Sequence, residues 1–103
     1  MRLINSFSAN MLAAFPVQPL FEEISLQEAK LALANGFESS VGHADTAAVY
    51  ADVLGMEVPA VRSTVALEKG DLAIIGQYRG PRLPEGASTL PEGATIQWLR
   101  LTV

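Results

Sequence analysis

The sequence predicts a single α/β domain: a mixed sheet of about five strands flanked by helices. Three observations carry this reading. Short extended, apolar runs are interleaved with two segments of helical periodicity. Each helical segment has a recognisable start and a glycine just past its end. With 103 residues, half of them apolar, the chain has the length and composition of one packed core that needs neither metal nor crosslink.

Leu3 to Phe7 is the first expected strand, followed by a turn at Ser8-Ala9-Asn10 and an apolar segment, Met11 to Phe15, that Pro16 stops. Leu20 to Ile24 is the second strand. Ser25 and Glu28 then have the spacing of a capping box, and Leu26, Ala29 and Leu33 fall on one helical face until Asn35-Gly36 supplies a left-handed stop. Phe37 to Val41 reads as a short extended piece. A second helix is expected from about Ala44 to Leu54, with Ala47, Tyr50, Ala51 and Leu54 facing inward and Gly55 past its end. Val61 to Leu67 reads as a further strand and Gly70-Asp71 as a turn. Leu72 to Tyr78 is apolar enough for a central strand, and Thr95 to Val103 closes the chain as the last one. No linker, low-complexity tract or solenoid repeat interrupts the series.

Composition narrows the function classes. The chain has no cysteine, which removes thiol nucleophiles, disulfides and thiolate zinc sites and suits a cytoplasmic location. No secretory signal core is expected at the N-terminus, and no apolar run approaches the eighteen or so residues of a membrane span. A formal charge of −4 argues against long duplex nucleic acid, which calls for a broad basic surface. A small anion remains compatible, because a few arginines and backbone amides make a local positive pocket.

His43 is the only histidine and stands beside Gly42 at the expected start of the second helix. Unpaired amides and the positive end of the helix dipole gather there and favour phosphate. Two readings follow: an imidazole that caps or lines the helix end, or a general acid toward a departing oxygen once a phosphodiester binds. Arg82 and Glu85 flank Leu83-Pro84, whose proline stiffens the segment. They form either a solvated surface turn or a phosphate-binding fork with a carboxylate three residues away. The tetrapeptide Leu-Pro-Glu-Gly recurs at 90 to 93 without the arginine, so Glu92 reads as part of a plain turn. Ser8 and Asn10 follow the first strand, where open α/β sheets often bind ligands, and equally suit a turn. Asp45 and Thr46 are expected to belong to the helix start, and Arg62 is either an anion contact or a surface charge. No phosphate loop, dinucleotide fingerprint or metal-spaced cluster appears, and one histidine argues against a transition-metal hydrolase.

Taken in order, Asn5-Ser-Phe-Ser-Ala-Asn-Met-Leu12, Ser40-Val-Gly-His-Ala-Asp-Thr-Ala47, Gly70-Asp71 and Arg82-Leu-Pro-Glu-Gly86 resemble a known family. This is the small viral anti-CRISPR ring nucleases directed against type III CRISPR defence, which have host-encoded relatives. The resemblance implies a homodimer, of mixed sheet and flanking helices, that destroys cyclic tetra-adenylate without a metal or other cofactor. It assigns His43, Arg82 and Glu85 to catalysis, and Ser8 and again Arg82, with Asn10 and Gly42 beside their motifs, to substrate contact. The implied reaction is attack of a ribose 2′-hydroxyl on its own phosphate, giving linear di-adenylates with 2′,3′-cyclic phosphate ends. It also implies the cytoplasm of the host cell as the place of action if a virus encodes the chain. Residues alone leave open a non-catalytic binder of cyclic oligonucleotides or a small nucleic-acid regulator using the same pocket. Two details depart from the family pattern: Val61 stands where a polar residue usually precedes the arginine, and Gly80-Pro81 abuts the arginine motif.

Overall fold

Hydrogen bonding in the computed structural model, which describes residues 1–103, joins five strands into one mixed sheet. They are β1 (Arg2–Ile4), β2 (Leu20–Ile24), β3 (Glu38–Ser40), β4 (Leu72–Arg79) and β5 (Thr95–Thr102), in the spatial order β2-β5-β4-β1-β3. β1 lies between β3 and β4 and is parallel to both, whereas β5 runs antiparallel to β4 and β2. The longest ladder pairs β4 with β5 from Leu72↔Thr102 to Arg79↔Thr95. The carboxyl ends of β4, β1 and β3 therefore stand side by side along one rim of the sheet.

Both helices start where the sequence indicates. In α1 (Leu26–Leu33) the Glu28 amide donates to Ser25 Oγ at 3.0 Å and the Ser25 amide donates to Glu28 Oε1 at 3.1 Å, completing the capping box. The Ser25 backbone amide, helped by the Ser25 hydroxyl, holds the Glu28 carboxyl below its ordinary pKa. Helix α2 (Ala44–Leu54) begins after His43 and ends at Gly55 in the left-handed conformation. Neither helix is long and apolar enough to cross a membrane.

The two faces of the sheet are covered differently. On one face Leu3, Ile74 and Trp98 pack against Ala29 and Leu33 of α1 and Ala47, Tyr50 and Leu54 of α2. On the other, Ile4, Ala73, Ile75 and Leu101 are covered by Leu12, Val65 and Leu67, which come from irregular segments. Those segments hold one another: Leu67 N donates to Met11 O at 2.6 Å and Ala13 N to Leu67 O at 2.9 Å.

Tyr50 fixes α2 to the sheet. Its ring meets Trp98 edge-on at 5.7 Å, and its hydroxyl donates to the carbonyl oxygen of Gly76 in β4. Burial pushes the phenol well above its ordinary pKa, so it acts as a hydrogen-bond donor. Gly76 makes this contact possible, since a Cβ there would lie 2.6 Å from Tyr50 Cε2.

Differences from the sequence expectations fall in irregular regions. β1 stops at Ile4, and Asn5 to Phe7 turn away toward a short 3-10 turn at Ala9–Met11. The expected strand from Val61 to Leu67 is absent as a ladder. Val65 and Leu67 point inward, but the backbone pairs with no strand: Val61 N donates to the carbonyl oxygen of Val41, just past β3, at 2.9 Å, and Leu67 only bridges Leu12. Inward-facing side chains arise from packing as readily as from strand pairing.

Candidate functional site

The candidate residues leave the sheet at neighbouring points. Ser8 and Asn10 follow β1, Gly42 and His43 follow β3, and Arg82 and Glu85 follow β4. These three strands are adjacent and parallel, so all six residues issue from one rim, the usual binding edge of an open α/β sheet. Ser8, Asn10, His43, Arg82 and Glu85 are exposed.

His43 is the N-cap of α2, in extended conformation, and its Nδ1 accepts the Asp45 amide at 3.3 Å. The capping reading of this histidine is thus correct as far as Nδ1 goes. An imidazole accepting at Nδ1 carries its proton on Nε2, leaving that atom as the group available to a ligand. Gly42 is held from the other side, where Arg62 Nε donates to its carbonyl oxygen at 3.2 Å. Arg62 therefore braces the segment that leads into the cap. Ser8 precedes the 3-10 turn and makes no capping bond through its hydroxyl.

The two Leu-Pro-Glu-Gly copies have the same local geometry. Ala87 N donates to Pro84 O at 3.1 Å and Ala94 N to Pro91 O at 3.0 Å, with Gly86 and Gly93 at φ of 79° and 81°. Placement separates them. The second copy leads straight into β5, whereas the first is tied across the fold: Gly86 N donates to Asp45 Oδ2 at 3.2 Å. Its entry is fixed as well, because the Tyr78 hydroxyl donates to Pro81 O. Gly80 turns within the space left by Ala94, whose Cβ would lie 2.7 Å from a Cβ at position 80. Arg82 and Glu85 do not pair with each other; the ion pair in the structure joins Arg2 to Glu38 at 2.9 Å.

A cavity of about 370 Å³ opens beside these loops, between the end of β1 (Asn5, Ser6, Phe7), α2 (Thr46, Tyr50) and the end of β4 (Gln77, Tyr78), with Leu83 at its margin. None of the six candidate residues lines it, so the cavity adjoins them rather than enclosing them. Sequence reasoning missed this lining. Thr46 and Tyr50 are one helical turn apart, which places them on one face, but the presence of Asn5 and Gln77 in the same lining depends on β1 and β4 being neighbours. A larger cavity of about 680 Å³, with Arg2, Glu38 and Asp71 in its wall, lies at the opposite, amino-terminal end of β1, β3 and β4. Gly70-Asp71 sits there too and anchors the last residue of the chain, with Gly70 N donating to Val103 O at 2.6 Å and Val103 N donating to Asp71 O at 3.0 Å.

The fold and the rim together define a small α/β domain with polar loops gathered at the carboxyl ends of parallel strands. The chain belongs to the STIV B116-like family, whose model matches residues 1–96. Among solved structures it is similar to B116 of Sulfolobus turreted icosahedral virus (STIV), with a TM-score of 0.83 and 24% identity over 99% of this chain and 97% of that one. At that identity the likeness is one of fold. No curated protein matches the chain.

Proposed function

We propose that the protein is a metal-independent ring nuclease that opens cyclic tetra-adenylate, acting as a homodimer. The observation that carries the reading is that the Ser8, His43 and Arg82–Glu85 loops leave the sheet at one rim, beside a cavity of about 370 Å³. These are the positions that the ring-nuclease resemblance selects, and they come from three separate parts of the chain. A ring of four nucleotides is large against one such domain, and a two-fold dimer offers each group twice around a ring sharing that axis.

The chemistry needs no external nucleophile. A ribose 2′-hydroxyl attacks the adjacent phosphorus in line, and the bond from phosphorus to the 5′-oxygen breaks. Glu85, which no cation engages, accepts the 2′-proton. Arg82 carries the charge that builds on the phosphorane oxygens. Protonated His43 gives its Nε2 proton to the departing 5′-oxygen. To be protonated it must release the Asp45 amide from Nδ1, so gain of the proton and loss of the cap bond accompany each other. Two such events on opposite linkages give two di-adenylates, each with a 2′,3′-cyclic phosphate and a free 5′-hydroxyl.

The same cap bond supports a second reading, a binder that sequesters the ring intact, since a histidine committed to its helix needs no acid role. Incubation of pure protein with excess cyclic tetra-adenylate and a chelator separates the two. Multiple turnover to linear product supports the nuclease; tight binding with the ring unbroken supports the sequestering protein and refutes the nuclease.

A further inference from the structure

Asp45 has two hydrogen bonds that face different partners. Its amide donates to His43 Nδ1 at 3.3 Å, and its Oδ2 accepts the Gly86 amide at 3.2 Å, although Gly86 lies 41 residues away. A carboxylate in the first turn of a helix is ordinary, because the dipole favours it there. The dipole does not require it to reach a distant loop. Other contacts of that loop act at its base: Tyr78 on Pro81, Ala94 against Gly80, and Leu83 and Ala87 half-buried against the core. Pro84, Glu85 and Gly86 at the tip are exposed, and the Asp45 bond is what ties the tip to α2.

Resting on the nuclease reading, we infer that Asp45 is a positioning residue whose carboxylate holds the Arg82–Gly86 turn against the start of α2, setting Arg82 and Glu85 relative to His43. One residue thereby links the acid to the carboxylate that takes the 2′-proton and to the arginine that carries the phosphorane charge. It does not touch the substrate. Its contribution belongs to kcat, because a loop freed by about 1 Å still binds the ring but loses alignment, which costs on the order of 10²-fold.

The test compares Asp45→Ala, Asp45→Ser and Asp45→Asn in the full chain with cyclic tetra-adenylate. Serine suits a helix start but is too short to reach Gly86, so it stands in if the alanine variant folds poorly. Asparagine loses the charge yet keeps an acceptor oxygen. Expected are kcat losses of about 10-fold to 100-fold for alanine and serine, ring affinity nearly unchanged, and recovery to within about threefold for asparagine. Exchange of the Gly86 amide proton, followed by NMR without ligand, should quicken in alanine and serine but not in asparagine. Unchanged Gly86 exchange in both short variants overturns the clamp, and quickened exchange with unchanged kcat overturns the positioning role. An asparagine variant as slow as alanine shows that charge, not the bond, matters and also overturns the inference. If wild-type protein turns nothing over, the nuclease reading falls and takes the positioning role with it, while the amide exchange still decides whether the clamp exists.

Discussion

Replacing Gly76 with alanine tests how α2 is set on the sheet. A Cβ there would come within 2.6 Å of Tyr50 Cε2, 2.8 Å of Trp98 Cζ3 and 3.2 Å of Trp98 Cη2. Ordinary carbon contacts lie at about 3.5–4.0 Å, so both rings must retreat by roughly 1 Å. Tyr50 is fully buried and Trp98 only 4% exposed, which leaves them little room. Overpacking of this kind costs about 1–3 kcal/mol, and displacement of Tyr50 also strains its bond to the Gly76 carbonyl. A central value of about 2 kcal/mol lowers Tm by roughly 8–16 °C in a domain of this size. Thermal unfolding followed by circular dichroism measures it. A double variant with Tyr50→Ala supplies the control: removing the ring relieves the Tyr50 share of the clash and leaves Trp98 room to move, so the two substitutions should be less than additive. A Tm shift for Gly76→Ala under about 3 °C, or strict additivity, refutes the packing argument.

Three further outcomes follow from named contacts. His43→Asn keeps a side-chain acceptor at the helix start but has no transferable proton, so ring turnover should drop about 10²-fold to 10⁴-fold with ring affinity nearly unchanged. Arg82→Ala should lower kcat by about 10²-fold to 10³-fold and weaken binding as well, measured by steady-state kinetics and calorimetry. Glu28 has a folded pKa below its unfolded one, so its stabilising effect is complete above the unfolded value and disappears as pH falls through the lowered folded value. Urea unfolding across that acidic range should therefore show a steeper loss for wild type than for Glu28→Gln, which keeps an acceptor without titrating.

Those features readable in the sequence were carried by short-range chemistry. Ser25 and Glu28 announce α1 because both halves of the box lie three residues apart. Helix α2, Ala44–Leu54, and strand β2, Leu20–Ile24, appear within the bounds that local patterning indicates. Val61 to Leu67 misled because Val65 and Leu67 pack against the sheet as a strand's side chains would, with no partner strand for the backbone. Strand order was not legible: β1 between β3 and β4 is a product of non-local pairing, and the cavity lined by Asn5, Thr46 and Gln77 depends on it. The Asp45–Gly86 bond has the same origin, since nothing near residue 45 announces a partner at 86. His43 illustrates the middle case. Its place at a helix start was plain, but only geometry shows that Nδ1 serves the helix and Nε2 is the atom left for a ligand.

The proton attributed to His43 can be tested at the bond it is meant to break. A cyclic tetra-adenylate carrying sulfur in place of the bridging 5′-oxygens has a leaving group that departs as a thiolate and needs no general acid. The account predicts that His43→Asn, crippled on the natural ring, cleaves the sulfur-bridged ring at close to the wild-type rate, while Arg82→Ala remains slow on both. Equal impairment of His43→Asn on the two rings, or no impairment on either, would contradict it.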